Sequence, residues 1–358
     1  PLPGPVHLNL PFREPFLLPK NQKPEEFIHD PDLQGWKAEI KPWIRHPLPK
    51  ISADAKLLEN FTKNLPEQGI LSIGRIPPTS ISTVKKLAND LAWPVFADIA
   101  SGLRLGPEFP NRVTYYDQLL IDSDYLKSYP PQKVIHLGFA PTSKRWLGEM
   151  EKLPADNLIW VKEGSSRLDP TNRFRSVFET SVEDFCSEMI SKLKKRKKSK
   201  WTIHWLDQSN KIEKLMEQFI MNQPLFSEMK LVRTLTKIIP ESHALFLGNS
   251  LPVREVDFYG SGNGSEVKVG LNRGASGIDG LVACSSGYSK GLNQPLTLLL
   301  GDLSLLHDLN SLKLISESPK PIVLIVLNNH GGGIFSFLPV SEHKDIFETY
   351  FSTPHSLE

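Results

Sequence analysis

Two uncharged apolar runs, Pro295 to Leu300 and Ile322 to Leu327, stand a helix-length apart, and each ends in a polar turn: Gly301-Asp302-Leu303-Ser304 and Asn328-Asn329-His330-Gly331-Gly332. Apolar runs of this length bounded by turn residues read as strands buried on both faces. Parallel strands joined by a helix put both turns at the carboxyl edge of a sheet, where open α/β folds bind ligands. The spacing predicts a helix from about Leu303, whose N-terminus favours an anion there.

Asp302 offers a charged oxygen and Asn329 a neutral one, while the glycines after Asn329 let a backbone carbonyl approach an ion. Mg²⁺ takes a sparse oxygen set of this kind, completed by phosphate oxygens and water. Taken singly, Gly-Asp is an ordinary turn after a strand, and Asn-Asn-His-Gly-Gly-Gly an ordinary loop. Their joint occurrence in one strand-helix-strand unit favours a cradle for a metal and a diphosphate.

Upstream, helical patterns at Leu57 to Leu65 and Ser80 to Leu91 alternate with strands at Gly69 to Gly74, Pro94 to Ala97, Val134 to Leu137 and Leu158 to Val161. That alternation predicts a doubly wound α/β fold with mainly parallel sheets. A helix from Trp201 to about Ile220 then leads into a second such domain, which contains the strand His243 to Gly248. The organisation expected is residues 25–200 for a central domain and 201–358 for the domain with the cradle. Gly260-Ser-Gly-Asn-Gly264 raises a dinucleotide-binding alternative, but no Gly-x-Gly-x-x-Gly follows a strand and opens a helix in the central domain.

With 42 basic and 40 acidic residues the chain is close to neutral, so its charge balance calls for neither nucleic acid nor an anionic membrane. The basic run Lys192 to Lys200 reads as a solvated helix end and linker. Two cysteines, Cys186 and Cys284, are too few and too scattered for a disulfide framework or a zinc site. No apolar stretch exceeds strand length, which argues against a transmembrane helix.

The Gly-Asp and Asn-Asn pair resembles the signature of thiamine diphosphate enzymes. Within them, Asn272-Arg-Gly-Ala-Ser-Gly-Ile-Asp-Gly280 resembles the motif of the MenD family, the 2-succinyl-5-enolpyruvyl-6-hydroxy-3-cyclohexene-1-carboxylate synthases of menaquinone biosynthesis. Gly248-Asn-Ser-Leu-Pro-Val-Arg254, Gly301 to Asn310 and Asn328 to Pro339 agree with that family in order and spacing, and Gly-Asp-Leu, where other thiamine diphosphate enzymes usually carry Gly-Asp-Gly, favours it over the decarboxylases and acetolactate synthases. The resemblance implies decarboxylation of 2-oxoglutarate and addition of the succinic semialdehyde carbanion equivalent to isochorismate. It implies thiamine diphosphate with Mg²⁺ or Mn²⁺ as cofactors, and Asp302, Asn329 and the Gly331 carbonyl as metal ligands.

Cofactor contacts are implied at Gly248, Asn249, Ser250, Gly277, Ile278, Gly301, Leu303, Ser304, Gly332 and Ile334. Both substrates are polyanions, and arginine holds carboxylates bidentately; Arg145, Arg254 and Arg273, with Ser250, stand where the family places such contacts. Ordinary surface pairing is the alternative for the arginines, and helix capping for Ser250 and the Thr142 to Arg145 segment. Ile278 is expected as the wedge under the bent cofactor, against a core isoleucine on a helix's first turn. Ile334 and Phe335 are expected to exclude water, against plain packing. An activating glutamate is not found in the chain; in this family it comes from a preceding pyrimidine-binding domain, of which residues 1–24 resemble the tail. The chain is therefore expected to be a fragment. Active sites between subunits of a homodimer or homotetramer, in a bacterial cytoplasm or a plant plastid, complete the expectation.

Overall fold

The computed structural model describes residues 7–11, 31–39, 55–107, 109–164 and 169–357. Residues 1–51 form one compact unit, in which Pro31–Ala38 is a helix with no buried residue. Of the expected domain tail, residues 1–24, only 7–11 lie among the described residues. Residues 52–358 form the second unit, which holds two parallel sheets.

The first sheet contains β1 (Gly69–Ile73), β2 (Val95–Ala97), β3 (Lys133–Leu137), β4 (Leu158–Lys162) and β5 (Ser176–Glu179) in the order β2-β1-β3-β4-β5. The second contains β6 (Ala244–Leu247), β7 (Val269–Leu271), β8 (Leu296–Gly301) and β9 (Ile322–Leu327) in the order β7-β6-β8-β9. Every pairing is parallel. The central strands are covered on both faces, which is why they read as continuous apolar runs, whereas β9, expected to be buried on both faces, fully buries only Leu327. Successive residues point to opposite sides: Leu71, Ile135 and Ile159 pack with Phe185 and Met189, while Ile70, Val134 and Leu158 pack with Trp146 and Trp205. In the second sheet Leu245 and Leu299 face one apolar cluster, and Phe246 and Leu298 the other.

Three differences from the sequence reading have local causes. β5 is a mostly exposed edge strand, and β7 is three residues long with Gly270 against the rings of Phe246 and Tyr288, so neither carries an apolar run. The single helix expected between β8 and β9 is broken into Asp302–Leu306 and Leu312–Ser316, joined through a 3₁₀ turn at Leu309–Ser311. Asp308 at the break caps another helix: its Oδ2 accepts from the backbone N–H of Val282 and Ala283 at 2.7 and 3.1 Å.

The Gly260 to Gly264 loop follows the helix Leu251–Tyr259 rather than a strand, and its carbonyls are held by guanidiniums: Arg104 Nη2 donates to Gly260 O and Arg112 Nη2 to Gly262 O, at 3.1 and 2.8 Å. It is a structural junction between the two sheets, reinforced by Ile99 N–H donating to Asp257 Oδ1 at 2.8 Å. The basic run bridges the end of helix Val182–Lys192 and the start of helix Lys200–Met221. No helix among the described residues is long and apolar enough to cross a membrane.

A buried polar chain crosses the first sheet. Trp146 Nε1–H donates to Ser72 Oγ at 2.9 Å, Ser72 meets His136 Nδ1 at 2.9 Å, and His136 Nε2 meets the Phe139 carbonyl at 2.8 Å. A carbonyl only accepts, so Nε2 carries the proton and Nδ1 accepts from Ser72; the ring is neutral. Burial pushes the His136 pKa down to about 4. The unfolded chain therefore binds the extra proton more readily between about pH 6.5 and pH 4, and this stability, present above pH 6.5, is lost as pH falls through that window. The loss reaches about 3 kcal/mol at its limit. Urea unfolding at pH 7.5 and pH 5 is expected to show it, with a smaller pH difference in His136→Gln.

Candidate functional site

The second sheet reverses direction between β6 and β8: β7 is added on one side of β6, and β8 and β9 on the other. A crevice opens outside the carboxyl ends of strands at such a reversal. Here it is a cavity of about 270 Å³, walled by the segments that follow β6, β8 and β9 and by the loop before helix Leu281–Leu292. Ser250, Arg254, Arg273, Ile278, Gly301, Asp302, Leu303, Ser304, Asn329, Gly331, Gly332, Ile334 and Phe335 all line it. The sequence motifs thus converge although they span 85 positions, from Ser250 to Phe335.

Asp302, the first residue of helix Asp302–Leu306, is 7% exposed in its side chain. Its Oδ1 accepts from Leu303 N–H at 2.6 Å, and its Oδ2 from Gly331 N–H at 3.0 Å, so the carboxylate ties the two strand-end loops together. His355 Nε2 also reaches Oδ2, at 3.0 Å. Gly331 has a φ of +147°, and a Cβ there would fall 2.3 Å from the Ser352 carbonyl. Gly332 N–H donates to that carbonyl at 2.6 Å, which explains why the loop is built of glycines.

Two guanidiniums share the cavity. Arg254 Nη1 donates to Ser250 O at 2.6 Å, and burial together with the nearby Arg273 charge lowers the Arg254 pKa. Arg273 Nη1 is buried with no hydrogen-bond partner. A buried donor left unpaired beside a second cation suits an anionic guest. Ser250 occupies the position preceding helix Leu251–Tyr259 yet makes no capping hydrogen bond, and its φ of +69° is strained for a serine. Ser276, also lining the cavity, has a φ of +58°.

Ile278 lies in the loop before helix Leu281–Leu292, half-buried against the cavity. Ile334 and Phe335 lie in the 3₁₀ turn Gly333–Phe337, also half-buried, with Phe335 edge-on to Phe351 at 5.7 Å. Gly248, Asn249 and Gly277 stand behind the lining: Asn249 Nδ2 donates to the Gly277 carbonyl at 2.7 Å, and a Cβ on Gly248 would lie 2.9 Å from Leu300. Arg145 is placed elsewhere. It sits in helix Lys144–Lys152, capped by Ser143, and pairs with Asp117 Oδ2 at 2.7 Å with 38% of its side chain exposed.

Three residues that the motifs do not mark complete the surroundings. His355 returns to Asp302 as described, and Glu228, first residue of helix Glu228–Ile238, accepts from Asn329 Nδ2 at 3.1 Å. Glu255 hydrogen-bonds to Glu228; burial and the neighbouring carboxylate push its pKa up to about 8. None of the three was signalled by spacing.

The donors fit a divalent cation and a diphosphate: one carboxylate, one amide oxygen and glycine carbonyls, beside an unpaired buried guanidinium nitrogen. The doubly wound sheets with this cradle at a topological switch point define a cofactor-dependent α/β protein. The chain belongs to the thiamine pyrophosphate enzyme family: residues 29–247 match the family model described as the middle domain of thiamine pyrophosphate. Among curated proteins it is similar to the 2-succinyl-5-enolpyruvyl-6-hydroxy-3-cyclohexene-1-carboxylate synthase of Rubrobacter xylanophilus, 37% identical over 99% of this chain and 61% of that protein. The synthases of the same name from Chlorobium phaeobacteroides and Salinibacter ruber are 35% and 32% identical, over 99% and 98% of this chain and 60% of each relative. The chain spans about three fifths of the length of these relatives.

Proposed function

We propose that this chain carries part of the active site for thiamine diphosphate-dependent decarboxylation of 2-oxoglutarate and addition of the remaining four-carbon unit to isochorismate. The products are 2-succinyl-5-enolpyruvyl-6-hydroxy-3-cyclohexene-1-carboxylate and CO₂. The observation that carries the reading is the placing of Arg254 and Arg273 in one cavity with Asp302 and Asn329. A polyanionic substrate and an anionic cofactor both need fixed positive charge, and this cavity concentrates it.

In this reading Asp302, Asn329 and the Gly331 carbonyl hold Mg²⁺ or Mn²⁺. When bound, thiamine diphosphate supplies a carbon centre that receives the electron pair left by the departing carboxyl group and passes it to the second substrate. Ile278, which lines the cavity, would support the cofactor. Arg254 and Arg273 orient the substrate carboxylates, and Ile334 and Phe335 keep water from the reacting carbon. The activating glutamate is assigned to a pyrimidine-binding domain of a second subunit, in a homodimer or homotetramer, and the compartment to the bacterial cytoplasm or the plastid.

The test is turnover of the complete protein with 2-oxoglutarate, thiamine diphosphate and Mg²⁺, following CO₂ and product mass with and without isochorismate. Adduct formed only with isochorismate is the expected result. Equal CO₂ release and free succinic semialdehyde without it would make the protein a simple 2-oxoacid decarboxylase, and no turnover in any condition would remove the reading.

A further inference from the structure

The side chain of Asn329 can present either its oxygen or its NH₂ to the cavity, and only the oxygen can bind a cation. What decides between them lies far away in sequence. Glu228 Oε1 stands 3.1 Å from Asn329 Nδ2. The Asn329 NH₂ donates to this oxygen, so the NH₂ is the end of the amide turned toward Glu228. With that end committed, the carbonyl oxygen is the atom Asn329 has left to offer the cavity it lines.

The holding group is itself held. Glu228 opens helix Glu228–Ile238, whose preceding Ser227 accepts from Lys230 N–H at 3.3 Å, and Glu255 of helix Leu251–Tyr259 hydrogen-bonds to it. Gly333 leaves the room: a Cβ there would fall 2.7 Å from Asn329 Nδ2. Two helices thus fix the rotation of one amide, one of them, Glu228–Ile238, from outside the strand-end motifs.

We propose that Glu228 is a positioning residue which, by accepting from Asn329 Nδ2, aims the Asn329 oxygen at a divalent cation held with Asp302. The inference rests on the metal-diphosphate reading of this cavity. Groups that orient a metal ligand typically contribute 10- to 100-fold in metal affinity.

The test is Mn²⁺ titration of the complete protein followed by electron paramagnetic resonance, with thiamine diphosphate present and no substrate. Glu228→Leu, folded by circular dichroism, is expected to weaken Mn²⁺ binding by about 10- to 100-fold. Glu228→Gln, which can still turn an oxygen toward Asn329, should bind near the wild-type level, a rescue that a purely steric role for Glu228 would not need. Unchanged affinity in Glu228→Leu overturns the proposal.

If Glu228→Leu does not fold, Asn329→Asp decides. A carboxylate at 329 needs a donor at 228, so adding Glu228→Gln to Asn329→Asp should tighten Mn²⁺ binding, and no tightening overturns the proposal. A wild-type protein that binds no Mn²⁺ overturns the metal reading itself, a result separable from failure of the Glu228 role alone.

Discussion

Asp302→Ala is expected to reduce thiamine diphosphate-dependent turnover by at least about 10²- to 10³-fold, the scale seen when one fixed electrostatic contact to a reacting group is removed. The protein should remain folded. Asp302 accepts from two backbone N–H groups and meets His355, so the substitution leaves donors unpaired at the junction of two loops, at a cost of about 1–3 kcal/mol. The cores on either side of the second sheet contain no part of that network. Turnover assayed at saturating cofactor and metal, beside a thermal melt, separates the two effects. Full activity with a normal melt would remove Asp302 from the cofactor site.

The second large effect is expected from Arg273→Ala. Removing one partner of a buried, hydrogen-bonded charge pair costs about 2–5 kcal/mol, which corresponds to a loss of kcat/KM for the substrate it binds of about 30-fold or more. Arg254 lines the same cavity with its Nη1 donating to the Ser250 carbonyl, so it compensates in part at most. Separate titrations of 2-oxoglutarate and isochorismate give the assignment: the substrate whose KM rises is the one Arg273 grips. If neither KM nor kcat changes, the unpaired nitrogen of Arg273 serves the framework and not a ligand.

Much of this site was legible because each half of the cradle is a short local pattern at the end of an apolar strand. Asp302 and Asn329 need only the parallel arrangement of β8 and β9 to meet, and the apolar runs specify that arrangement. The glycines were legible in kind but not in cause, since the carbonyls of Phe351 and Ser352 that crowd Gly331 and Gly332 come from a separate segment. Arg145 illustrates the opposite limit. Its position after a strand is readable, but its ion pair with Asp117 depends on how two segments pack, which spacing does not encode.

Glu228, Glu255 and His355 were hidden for a related reason: two look like ordinary helical glutamates and the third like a loop histidine until the fold brings Glu228 to Asn329, Glu255 to Glu228 and His355 to Asp302. In the fold itself the central strands and the edge strands β2 and β9 were readable, and the edge strands β5 and β7 were not. β5 exposes three of its four residues, so the alternation that marks burial is absent. Asp308 marks the break in the expected helix after β8, a tertiary cap that looks locally like one more helical residue.

β9 has a consequence of a different kind. It is an outermost strand of its sheet among the described residues, made of six uncharged isoleucine, valine and leucine residues, with Val323 46% exposed. Uncharged strands of this composition at a sheet edge are templates for pairing with other chains. Preparations of this 358-residue chain that lose soluble protein on heating or concentration therefore point first to intermolecular strand addition at Ile322–Leu327. A poor yield of a cavity variant would then be a statement about colloidal behaviour, to be corrected for before any rate is compared.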